Sequence, residues 1–456
     1  MSKNTWLGLA ALIVVAIAVS IVALPEGTEW TTDSPEALAE FNAAIDAKMK
    51  LYHNDVQTHL ERAVELDPDF VIAKLYLANE VRYDDEDRAL RLWNDVLTAD
   101  HSDLTDREGF FVDRARAYQE NRFDDAAQMI EDYLAKYPDD PYILHEKALK
   151  TWAAGEFDEA EKLNRRLIEI APNWVLAYNQ LGYIAMSQGR FVEAEEYFTS
   201  YRFVAPDQAN PHDSLGELYI ILGRTEEAEA TLRRSLEIRP DFWAAYDHLA
   251  LVRRRDNDFA GAEGVLAEAR AVGECPEYWD VGIECSIEIG ALTHADQWHD
   301  ILEFLDDDSP CLEGHSSGYA QVIRHLAAMQ IGDVETAIAI EEKMEKSLTA
   351  AKEVEKLDIP MIMGTLSHLQ GVRKAVQGDL EGAIEAFWEA DENLTYIQAG
   401  SGMFKLYNRL YLVETLFAAG NDAKAHKVLS KVRSVNPGMA QSFEEKGLKI
   451  IGLERE

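Results

Sequence analysis

Between Pro141 and Phe242 the small and apolar positions fall into a fixed rhythm. Prolines stand at 138, 172, 206 and 240, a constant step of 34 residues. Each closes a similar phrase: Tyr137-Pro138-Asp139, Ile170-Ala171-Pro172-Asn173, Val204-Ala205-Pro206-Asp207 and Ile238-Arg239-Pro240-Asp241. Within each period a small residue comes first (Ala148, Gly182, Gly216, Ala250). A turn residue follows (Gly155, Gly189, Gly223, Asn257), then an alanine (Ala160, Ala194, Ala228, Ala262). A period of this size marks stacked supersecondary units. Small side chains let two antiparallel helices approach closely. Glycine tolerates the positive φ of the turn between them, and proline ends the second helix and opens the next unit. The pattern therefore predicts a run of helix–turn–helix pairs.

This pattern resembles the tetratricopeptide repeat (TPR), a helix pair of about 34 residues with small residues, a turn Gly or Asn, an Ala and a Pro in this order. The resemblance implies an all-α superhelical solenoid that binds a protein or peptide in its concave groove, without catalysis and without a cofactor. In that family the first helix of each pair lines the groove through four positions. They fall here on Tyr142, His145, Leu149 and Trp152; on Leu176, Asn179, Tyr183 and Met186; on Asn210, Asp213, Glu217 and Ile220; and on Ala244, Asp247, Leu251 and Arg254. The candidate groove residues are Tyr142, His145, Trp152, Asn179, Tyr183, Asp213, Glu217, Asp247 and Arg254. The aromatic ones suit a peptide groove, since they offer large contact area at low entropic cost. Asp213, Glu217 and Asp247 predict an acidic patch at mid-groove. The Lys/Asn/Arg clamp with which some TPR domains hold a peptide carboxylate is not matched in any three consecutive units.

Outside the clearest repeats, at 107–276, the period weakens. Ser34-Pro35-Glu36 predicts a helix start, with Ser34 as cap, and weaker units run from 33 to about 102. A further pair fits 277–310. From 311 to 456 the repeats are looser. A long helix is expected from Gly332-Asp333 to about Leu357, a loop at Gly400-Ser401-Gly402, and a capping helix over 440–456 to cover the open end. The expectation is about ten helix pairs.

The N-terminus follows another pattern. After a five-residue polar tail, residues 6–24 are an unbroken apolar run of nineteen. As a helix it spans about 28 Å, one bilayer core. Ala16-Ile17-Ala18 lies inside the apolar run and no clear small-x-small cleavage site precedes Pro25, so an uncleaved transmembrane anchor is favoured over a signal peptide. Residues 25–32 then form a linker. Lys3 precedes the run, and no Lys or Arg follows until Lys48, which favours repeats on the extracytoplasmic side. The expected location is a bacterial inner membrane with a periplasmic array.

The formal net charge of −39 argues against nucleic acid or an anionic surface as partner of the array. The end of the chain departs from this. From Lys405 onward nine Lys/Arg outnumber six Asp/Glu, with Lys424, Lys427, Lys431 and Arg433 on one helix. Cys275, Cys285 and Cys311 are expected to be free thiols. The first two stand too far apart on one helix to pair, and Cys311 lies about one repeat beyond Cys275. No nucleotide, zinc-protease or hydrolase motif occurs. Asp84-Asp85-Glu86-Asp87 and Asp306-Asp307-Asp308 are expected to be solvated loops.

These features point to a membrane-anchored, non-catalytic scaffold. Two alternatives stay open. One is a cytoplasm-facing regulatory adaptor of envelope assembly. The other is an enzyme with its site in the irregular 277–400 segment.

Overall fold

The computed structural model describes residues 30–82, 85–273, 275–313, 317–353 and 359–447. These hold twenty-three α-helices, one 3-10 turn and no strand. The apolar run at 6–24 and the chain beyond 447 lie outside the described residues, and no described helix is long and apolar enough to cross a membrane. Contacts divide the chain into two units, Met1–Leu149 with Lys162–Trp174 and Lys150–Glu161 with Val175–Glu456.

The first unit pairs α1 (Pro35–Lys50) with α2 (His53–Leu66), α3 (Val71–Val81) with α4 (Glu86–Thr98), and α5 (Asp106–Gln119) with α6 (Phe123–Lys136). The fourth pair, α7 (Pro141–Ala153) and α8 (Phe157–Ile170), is where the division falls. The local signals are those of the sequence. Ser34 accepts from the Ala37 N–H at the start of α1, and Thr105 and Glu108 form a reciprocal capping box at the start of α5. One expectation changes: Asp85 caps α4 by accepting from the Arg88 N–H, with Glu86 and Asp87 in its first turn. These acids complement the helix dipole rather than fill a loop. The core is aromatic, with Phe41 at 5.1 Å from Phe70 and Phe110 at 5.5 Å from Phe111.

The second unit continues with α9 (Val175–Ser187) and α10 (Phe191–Val204), α11 (Asn210–Leu222) and α12 (Thr225–Ile238), and α13 (Trp243–Arg255) and α14 (Phe259–Val272). Then come α15 (Glu277–His294) with the short α16 (Trp298–Phe304), α17 (Ser317–Ile331) with α18 (Val334–Glu353), and α19 (Ile359–Val376) with α20 (Leu380–Asn393). The array closes with α21 (Ala399–Ala418), α22 (Asp422–Val435) and a single α23 (Pro437–Lys446). This makes eleven pairs among the described residues, in line with the expected count of about ten. The small residues do what the pattern implies. A Cβ on Gly216 would stand 2.6 Å from Leu232 of the paired helix, and one on Gly182 would collide with Phe198.

Two expectations are corrected here. Gly400-Ser401-Gly402 is the first turn of α21, not a loop, with Ser401 bonding back to Gln398. Gly402 is small because Ile221 of α11 lies against it, 2.7 Å from where a Cβ would be. Cys285 and Cys311 form a disulfide, with Cα atoms 5.6 Å apart, and among the three cysteines only Cys275 is free. The physical reason is the length of α16. It is only seven residues long, and the chain then turns back through the 3-10 segment Pro310–Leu312 onto the cluster around Cys285 and Ile289.

Candidate functional site

In the second unit, repeat geometry stacks equivalent positions of α9, α11 and α13. Asn179 and Tyr183 of α9 lie one turn apart, as do Asp213 and Glu217 of α11, so both pairs face one way. The Tyr183 hydroxyl donates to Glu217 Oε2 at 2.7 Å, and Ser214 donates to Asn179 Oδ1 at 3.1 Å. From α13, His248 Nδ1 sits 2.9 Å from Asp213 Oδ1, and its Nε2 lies 3.6 Å from Glu217 Oε1. Asp213 and Glu217 are each only 3% exposed.

Electrostatics follow from this burial. Desolvation disfavours the imidazolium, but Asp213 and Glu217 outweigh it and hold the His248 pKa at about 10, with Asp247 adding to the pull. Burial pushes the Glu217 carboxyl up, while His248 draws it down. Burial also raises the Tyr183 hydroxyl well above its ordinary value, and the Glu217 charge adds to this.

The partner that completes this cluster comes from far along the chain. The Ala399 N–H, in the first turn of α21, donates to Glu217 Oε1 at 2.7 Å across 182 residues. Glu217 thus supplies the anion that a helix N-terminus favours. Beside it, Asn436 Nδ2 donates to the Ile221 carbonyl at 3.0 Å, and Tyr396 stands edge-on to Phe191 at 5.0 Å. Every residue of α11 from Asn210 to Ile221 is buried. Glu217, in the acidic patch expected at mid-groove, is therefore covered by the chain's own last helix pair, while Asp247 is half-buried.

The other candidate residues are placed separately. Arg254 donates to the Ser286 carbonyl at 3.3 Å, and its guanidinium lies 5.6 Å from the Tyr319 ring centre. Its neighbour Arg255 donates to the Ile220 carbonyl at 2.7 Å, capping the end of α11. Trp152 is half-buried, and its ring nitrogen has no hydrogen-bond partner.

Tyr142 and His145 belong to the first unit. Tyr142 meets Trp174 edge-on at 5.1 Å and Trp30 at 5.6 Å, and the Arg107 guanidinium stacks on it at 4.8 Å. Arg107 is fixed in turn by Asp140, 2.8 Å away. The segment that carries Trp30 is tied down by Glu108, which accepts from the Thr31 N–H at 2.6 Å and the Thr31 hydroxyl at 2.7 Å. The His145 ring lies 5.7 Å from Trp174, and burial lowers its pKa to about 4, leaving it neutral. His145 Nδ1 and Trp174 Nε1 are buried without a hydrogen-bond partner. Leu149, one turn beyond His145, is 40% exposed.

Sequence reasoning missed His248, Ser214 and Trp174. The first two occupy the position next to Asp247 and Asp213 in the repeat, outside the four groove positions considered. A histidine beside a row of acids was the available signal. Trp174 lies just before α9, where the repeat pattern carries no prescription.

Two family signatures match the chain, both described as tetratricopeptide repeat, one over residues 117–182 and the other over 175–200 and 211–242. No curated protein matches the sequence. Among solved structures, a similar one is PilW, described as a widely conserved type IV pilus biogenesis factor. It is 20% identical, with a TM-score of 0.36, over 43% of this chain and 92% of that one. Another is a tetratricopeptide repeat protein from Parabacteroides merdae. It is 19% identical, with a TM-score of 0.40, over 60% of this chain and 98% of that one. Scores this low say nothing of what the present chain binds. The repeat signatures, the helix pairs and the small residues that seat one helix on the next agree: residues 117–200 and 211–242 are built of tetratricopeptide repeats.

Proposed function

We propose that this protein is a membrane-anchored scaffold that docks a peptide segment of a partner protein on the first unit, at the surface around Tyr142, His145, Leu149 and Trp174. The observation that carries this is the aromatic cluster of Tyr142, Trp174 and Trp30 beside Leu149, which is 40% exposed. The aromatic rings and exposed Leu149 supply apolar contact. The corresponding surface of the second unit is taken up by α21, which favours the first unit as the docking face. No step of covalent chemistry is proposed.

Residues 6–24 serve as the anchor in this reading, with the array on the extracytoplasmic side of a bacterial inner membrane. The Cys285–Cys311 disulfide supports that side, since disulfides persist in oxidising compartments. A cytoplasmic adaptor would keep these thiols reduced.

Two experiments test this reading. A photocrosslinking residue at Leu149 in intact cells should give an adduct with a second polypeptide, lost when His145 and Trp174 are both changed to Ala. Adducts only from outer-face positions would defeat the proposed docking surface. Alkaline phosphatase fused after residue 60 should be active, and an inactive fusion would reverse the topology.

A further inference from the structure

The outer surface of the tenth and eleventh pairs carries opposite charges at matched positions. Gly378 and Gly420 hold the two turns at φ +86° and +71°, and Ala383 and Ala425 are the fully buried alanines that follow. Both couples are 42 residues apart, which sets the register between α20 and α22. In that register Glu385 is equivalent to Lys427, and Glu389 to Lys431. All four are exposed, with Glu381 extending the acidic row and Lys424 the basic one. The two helices are neighbours on this surface, because Lys431 Nζ lies 5.6 Å from the centre of the half-buried Trp388 ring. Among the described residues, Glu385, Glu389, Lys424 and Lys427 enter no ion pair within the chain.

We propose that the chain forms a two-fold homodimer through the exposed faces of α20 and α22. A two-fold axis lying between these helices and parallel to them lays α20 of one copy over α22 of the other. Because the register is shared, Glu385 then stands level with Lys427 of the second copy, and Glu389 with Lys431. The two-fold axis perpendicular to the helices in the same plane would set acid against acid, so the charge pattern selects one arrangement. The contact is self-complementary, as an isologous interface requires. Trp388 falls at its centre, opposite exposed Ser430 of the other copy, and the charges form a rim.

Charge also selects the occupant. An anionic lipid surface or a nucleic acid would meet the lysines but be repelled by the glutamates alongside them. A second copy satisfies both rows. The net charge of −39 on each copy opposes approach at long range. At about 0.15 M salt the screening length is about 8 Å, which damps that repulsion while sparing contact pairs. Association should therefore be strongest at moderate ionic strength.

The test is the mass of the full chain in non-ionic detergent, by sedimentation at moderate salt, for wild type, K427E/K431E and E385K/E389K. The substituted side chains are exposed, so circular dichroism should show both variants folded. Wild type should be a dimer and each variant alone a monomer. An equimolar mixture of the two variants should form a dimer again, because at the four matched positions one then presents acids and the other bases. A monomeric wild type across the salt range, a variant that still dimerises alone, or a mixture that stays monomeric would overturn the proposal.

Discussion

Glu217, in the sixth helix pair, holds the N-terminus of α21, in the eleventh, through the backbone N–H of Ala399 at 2.7 Å. A stacked-repeat array ordinarily has contacts only between neighbouring units. Here one carboxylate joins repeats that are far apart in the chain.

Replacing Glu217 by Ala leaves the Ala399 N–H buried without an acceptor and the Tyr183 hydroxyl with only its longer bond to Ser214 Oγ at 3.4 Å. The expected cost is about 3–5 kcal/mol, the range seen when one member of a buried charged set is removed. Glu217→Gln keeps an acceptor and should cost less. Urea unfolding gives the size of the effect. Hydrogen exchange should show the amides at the start of α21 opening first, and unchanged protection there would contradict the latch.

The same cluster sets an alkaline limit. His248 has a folded pKa of about 10 against about 6.5 for an unfolded histidine. The folded chain therefore binds the extra proton between these values. The stabilisation is complete below about pH 6.5 and is lost as pH rises through 10. A melting-temperature profile should fall across this window in wild type. The His248→Gln variant should be less stable throughout and lack the slope.

On the acid side, burial holds His145 and His368 neutral, each at about 4. Their contribution is present above about pH 6.5 and lost as pH falls toward 4. His368→Asn should flatten part of the acid slope and leave the alkaline one unchanged. No change on the acid side would show that other groups govern it.

Gly223 and Gly420 share a left-handed turn conformation, with φ of +72° and +71°. A Cβ on Gly420 meets nothing within 4 Å, whereas one on Gly223 runs into the Asn436 side chain. Gly420→Ala should cost only the backbone strain, about 1–2 kcal/mol. Gly223→Ala should cost distinctly more, because Asn436 also donates to Ile221. Equal losses in thermal unfolding would mean that the Asn436 contact contributes nothing.

Thiol titration checks the cysteine pairing. The unfolded, non-reduced chain should react at one thiol, Cys275, and the reduced chain at three. A bridge with a sequence separation of 26 closes a loop that should contribute about 3 kcal/mol, read as the stability lost in Cys285→Ala with Cys311→Ala.

Much of this fold was legible because it is local. The prolines, turn glycines and small residues that set each helix pair act within 34 residues, and Asn179, Tyr183, Asp213 and Glu217 fell into one row through the groove positions that the family resemblance implies. The closure was not legible, because the contact between Glu217 and Ala399 has no period. Gly402 was misread for a related reason: a residue without Cβ serves a turn or a close approach equally well, and sequence does not say which. The disulfide was hidden by the shortness of α16, since a full-length second helix would have carried Cys311 away from Cys285.

The contact of α21 with α11 also fixes a number. An open array can gain or lose a whole repeat, because each new unit finds the same neighbour. Between Glu217 and Ala399 that freedom is gone. One more helix pair, or one fewer, would carry Ala399 and Asn436 past the carboxylate and carbonyl they meet, and Gly402 past the Ile221 side chain. The repeats of this segment are therefore counted as well as stacked, and their copy number is a property of the structure in the way a loop length is.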